Sequence, residues 1–152
     1  MWEPLKRYKA LDRESQRIFW RAAFLLPSIR ISLRMRGYNA TFAVLQSRAS
    51  PIANDSSPSL DRVRKISRSV RSAVHHAFLR FTCLEESLAL WYVLRKQGIA
   101  SQLRIGVRKS HGKFEAHAWV EYAGEAVNQP EAAHLHYAAF EQEFSEPPAE
   151  QP

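Results

Sequence analysis

The chain has 152 residues, 45% of them apolar, and that length suits one domain, residues 1–152, with its own hydrophobic core. A single cysteine, Cys83, excludes an internal disulfide, and no apolar run approaches the roughly 20 residues of a membrane-spanning helix, so no stable membrane insertion is expected. The Met1 region lacks the apolar stretch of a signal peptide, which predicts a soluble cytoplasmic protein whose thiol stays reduced.

From the start of the chain, Trp2 to Leu26 predicts an amphipathic helix, with Leu5, Tyr8, Leu11, Ile18, Phe19, Ala22 and Leu26 recurring three and four apart. Pro27 is expected to interrupt it. Ser28 then caps a second helix through Ile31, Leu33, Met35 and Tyr38 towards Leu45, with Gly37 weakening its middle. Residues 46–59, QSRASPIANDSSPS, read as a loop that closes a basic helical part over 1–58. Ser59 caps a third helix with Val63, Ile66, Val70, Val74, Ala77 and Phe78 on one face, ending near Phe81.

The next helix opens on Thr82-Cys83-Leu84-Glu85, the T-x-x-E pattern of a capping box, continues through Leu88, Trp91 and Leu94, and stops at Gly98. Gln102 to Arg108 and Phe114 to Tyr122 alternate as strands about a polar turn, Lys109 to Lys113. Ala123-Gly124 closes a second hairpin to Glu125–Asn128, so a three-stranded antiparallel meander packs on the Cys83 helix. Leu135 to Phe140 is expected to add an edge strand, and residues 145–152 form a frayed tail. The fold class is α+β.

Charge divides along the chain. Residues 1–80 hold 16 Lys+Arg against 5 Asp+Glu, and residues 81–152 hold 6 against 10, for a net +7. The basic half either forms solvated helix faces, as Arg62, Arg64, Lys65, Arg68 and Arg71 would, or docks an acidic partner. No nucleic-acid motif accompanies the charge, and nucleic acid is not expected as a partner.

Two side chains carry the chemistry. Cys83 is the first residue inside its helix, where unpaired N–H groups and the helix dipole favour a thiolate; Glu85 and Glu86 oppose it, so a base is wanted. His117 lies on a strand face with Trp119 and is the candidate base. Trp119 and Glu85 are candidate substrate contacts, with Trp119 equally readable as packing. One cysteine and no H-E-x-x-H motif predict no metal site and no cofactor.

The segment from Cys83, C-L-E-E-S-L-A-L-W-Y-V-L-R-K-Q-G, with A-H-A-W-V-E around His117, resembles the transglutaminase-like cysteine peptidases of lasso-peptide biosynthesis over roughly residues 60–130. The resemblance implies a transglutaminase-like, papain-like core over 60–140, Cys83 as nucleophile and His117 as its base. It also implies a substrate and partners: a leader–core precursor peptide, a separate leader-recognition protein and a lasso cyclase. The family's third residue is an aspartate about twelve positions after the histidine. Here that place holds Gln129, preceded by Asn128, and either amide could orient the imidazole as an asparagine does in papain-like peptidases. Glu115, Glu121 and Glu125 are further candidates. The other functions weighed are a transglutaminase-like acyltransferase and a catalytically silent peptide-binding module.

Overall fold

Three helices and a four-stranded antiparallel sheet make up the computed structural model, which describes residues 12–52, 57–129 and 136–139. Helix α1 spans Arg13–Arg48, and Pro27 does not end it. A proline here removes one backbone bond to the carbonyl four residues back. The burial of Ala22, Leu26 and Ile29 around it holds the helix together. Ser28 is therefore no cap: its hydroxyl donates to the Phe24 carbonyl at 3.1 Å, as a mid-helix serine does. The break comes at Gly37, whose φ of 76° lies where a side chain is strained. Beyond it Thr41 Oγ1 donates to the Gly37 carbonyl at 2.7 Å. The helix expected from Trp2 lies outside the described residues as far as Leu11.

Helix α2, Leu60–His76, begins where expected, with the Arg62 amide donating to Ser59 Oγ at 3.3 Å. Its buried stripe is Val63, Ile66, Val70 and Ala73. It ends earlier than the periodicity predicts. Ala77 is already extended, so Phe78 falls off the helix and is fully exposed instead of joining the core.

Helix α3, Cys83–Lys96, is the centre of the molecule. Leu88, Ala89, Leu90, Trp91, Val93 and Leu94 are all buried, more than one stripe allows, because α1, α2 and the sheet each pack on it. Its end is a Schellman motif: the Ile99 amide donates to the Leu94 carbonyl and the Gly98 amide to Arg95, both at 3.0 Å, with Gly98 left-handed at φ 72°.

The sheet runs β3-β2-β1-β4, with β1 Gln102–Ser110, β2 Lys113–Tyr122, β3 Glu125–Ala126 and β4 Ala138–Ala139. His111-Gly112 and Ala123-Gly124 are two-residue hairpins with positive φ at both positions, the turn that suits twisted strands. The edge strand expected near Leu135–Phe140 is β4, which pairs with Gly106 and Val107, so the meander gains a fourth strand. Val120 and Tyr122 of β2 join the helical core, while His117, Trp119 and Glu121 alternate onto the other face. Among the described residues no helix is long and apolar enough to cross a membrane.

Candidate active site

Cys83 sits exposed at the first position of α3. The capping box is complete: Thr82 Oγ1 accepts from the Glu85 amide at 3.3 Å, and Glu85 Oε2 accepts from the Thr82 amide at 2.7 Å. Arg30 reaches across from α1 with a two-pronged pair, Nε and one terminal nitrogen each 2.8 Å from a Glu85 oxygen, and also donates to the Arg80 carbonyl. The tip of α3 and the turn before it are thus fastened by one guanidinium. The same pair offsets the charge of Glu85 at the helix tip and, chiefly through the Arg30 hydrogen bonds, holds its carboxyl below its ordinary value. Glu85 is buried and paired with Arg30, so it anchors the tip of the helix.

His117 is half-buried on β2, opposite Gly106 of β1. Gln129 Oε1 lies against its Nε2. The ring stacks on Trp119 (6.0 Å, 21°) and against Tyr137 (5.0 Å, 33°). Trp119 is 1% exposed and packs, its ring lying across Gly106 and its Nε1 donating to Glu121 at 2.9 Å.

Asn128 does not touch the imidazole. It is buried, accepting from the Val120 amide at 2.9 Å and donating to Ser87 Oγ at 3.0 Å, and Ser87 in turn donates to the Ala118 carbonyl at 3.0 Å. That chain ties α3 to β2 beside His117. Ser87 lies four residues beyond Cys83 on the same helix face, so the Cys83 helix and the His117 strand are registered through it. Arg71 adds a second tie: it donates to the Asn128 carbonyl at 2.9 Å and stands 3.6 Å from Glu86. Burial pushes the Glu86 carboxyl up, while Arg71, His75 and His117 act against that, which puts Glu86 within electrostatic reach of the imidazole. The other carboxylates weighed for the third position are engaged elsewhere: Glu115 with Arg108, Glu121 with Arg104 and Glu125 with Arg64.

A model of the transglutaminase-like superfamily matches residues 25–141. The chain belongs to that superfamily. It includes cysteine peptidases and acyltransferases, and the α+β arrangement of this chain accords with it. No curated protein and no solved structure matches. Within the transglutaminase-like fold, the structure brings His117 and Gln129 together and leaves Asn128 as their scaffold. Sequence reasoning missed Arg30, Ser87, Arg71 and Tyr137. Ser87 had a signal, a small polar residue in the middle of an apolar helical run. Arg30 and Arg71 act across more than 50 residues of chain and had none.

Proposed function

We propose that this protein is a cysteine peptidase that removes the leader from a ribosomally made lasso-peptide precursor, with Cys83 as nucleophile and His117 as general base and acid. The observation that carries the reading is Gln129 on His117 Nε2, twelve residues on, where the resembling family keeps its orienting residue. With Gln129 Oε1 as acceptor, Nε2 holds its hydrogen and the Nδ1 lone pair is free to take the thiol proton. The thiolate forms a bond to the carbonyl carbon of the leader–core junction, and backbone N–H groups at the tip of α3 steady the oxyanion. The C–N bond breaks as His117 returns its proton to the leaving amine of the core. Water, deprotonated by His117, then cleaves the thioester and restores the thiol.

Cys83 is exposed, which leaves the acyl-enzyme open to attack by water. A separate recognition protein delivers the substrate in the cytoplasm, and a cyclase takes the freed core amine. The test is mass spectrometry of a synthetic precursor incubated with the protein and that recognition partner. One cut is expected, abolished in Cys83→Ala and in His117→Ala. A well-folded variant of either kind that cleaved at the wild-type rate would overturn the assignment, and amide-linked products would place the protein among the acyltransferases.

A further inference from the structure

Trp20, Phe24, Ile31 and Met35 stand four, seven and four residues apart on α1, which puts them on one helix face. Phe24, Ile31 and Met35 are 75%, 58% and 79% exposed. An apolar stripe of this size on a surface marks an interaction site. Two adjoining grooves run beside it. One, of about 590 Å³, lies between Phe24 and Leu25 of α1 and Tyr92 and Val93 of α3. The other, of about 410 Å³, is bounded by Ile31, Met35, Val44 and Leu45, and the two share Leu25, Ser28 and Tyr92.

The charge around these grooves has one sign. Arg21, Arg36, Arg48 and Lys96 line them and, among the described residues, no carboxylate does, while Arg13 and Arg17 continue the basic edge past Trp20. None of these six cations forms an ion pair among the described residues. The contrast with α2 is direct. Four of its five Lys and Arg residues are taken up within the molecule, Arg62 by Glu14, Arg64 by Glu125, Lys65 by Asp12 and Arg71 by Glu86. Most of the charge left for a partner is on α1 and at the end of α3, beside the apolar stripe.

We propose that this face of α1 and α3 docks an acidic amphipathic helix of a partner protein. Its apolar anchors fill the grooves, and its carboxylates meet the basic rim and speed encounter. A second copy of the chain would bring the same cations against themselves. Residues 1–11, with Lys6, Arg7 and Lys9 against Glu3, are also basic and complement the rim poorly. Tyr92, Val93 and Lys96 lie nine to thirteen residues beyond Cys83, roughly 14–20 Å along the helix, so a docked partner leaves the thiol end free. The proposal does not rest on the peptidase reading.

The probe is a fluorescein-labelled synthetic helix of about five turns, leucine and phenylalanine on one face and glutamate on the flanks, read by anisotropy against the full chain. Saturable binding is expected, weakened at least about tenfold by Phe24→Glu or Met35→Glu, by high salt, and by replacing the peptide's glutamates with lysines. Cys83→Ala should leave it unchanged, which separates this surface from the catalytic assignment. Equal binding of the lysine peptide, or indifference to both α1 variants, would overturn the proposal. So would a chain dimer dissolved by Phe24→Glu, which would make the face a self-interface. Tenfold tighter binding after deletion of residues 141–152, which carry Glu141, Glu143, Glu146 and Glu150, would overturn it too by naming the chain's own acidic end as the occupant.

Discussion

Gln129 can orient the imidazole but cannot neutralise it once it is protonated, and its own Nε2 is buried without a partner among the described residues. Gln129→Glu keeps the length and supplies a charge that favours an imidazolium beside a thiolate. Alkylation of Cys83 by iodoacetamide below neutral pH is expected to run several-fold faster in that variant; an unchanged rate would show that position 129 does not act on His117. Glu85 offers a second test at this scale. Its folded carboxyl is held below its ordinary 4.5, first by the Arg30 hydrogen bonds, so the stabilisation is full above about pH 4.5 and is lost as pH falls through the lowered value. Arg30→Met should lower the melting temperature at neutral pH, with the gap to wild type closing in acid. A gap of the same size at low pH would assign the loss to packing, for instance on Phe81, over whose ring Arg30 lies at 4.5 Å. The place of Cys83 at the tip of its helix and the reach of an amide twelve residues on to His117 were legible in the letters, because local motif and spacing carry them. The choice of Gln129 over Asn128 was not, since adjacent residues on a chain leaving a strand point in different directions and only the buried bonds of Asn128 decide it.

Elements were read well where their ends have local chemistry. The Ser59 cap, the Thr82–Glu85 box, the Gly98 stop and the Ala123-Gly124 hairpin all stand where the sequence puts them. The N-terminal helices were misdivided because Pro27 and Gly37 are both breakers by propensity, and tertiary burial of Leu26 and Ile29 overrides the first but nothing overrides a positive φ at the second. Gly106 had no local signal at all. A Cβ there would stand 2.9 Å from Trp119 ring atoms and 3.0 Å from the Ala138 carbonyl, so β1, β2 and β4 close together only around a glycine. Gly106→Ala is expected to cost about 1–3 kcal/mol in urea unfolding and to loosen the ring packed beside His117. A cost below the error of that measurement would mean that Trp119 swings aside freely.

At the scale of the whole molecule, α3 is the shared wall of a helical layer and a sheet, and the site forms where its tip and β2 are tied by Ser87, Asn128 and Arg71. On the peptidase reading Arg71, held to the Asn128 carbonyl and Glu86, touches no reacting atom and is a positioning residue. Arg71→Met should lower kcat several-fold with KM little changed while the fold persists, and loss of folding instead would make it purely structural. The central claim is that Cys83 carries the acyl group, and the most direct test is rapid acid quenching of a reaction with precursor peptide followed by intact-protein mass spectrometry. A thioester adduct of leader mass on Cys83, absent in Cys83→Ala and accumulating when His117 is replaced by a weaker base, is the expected result. Leader release by Cys83→Ala at the wild-type rate, with no adduct on the wild-type protein, would contradict it.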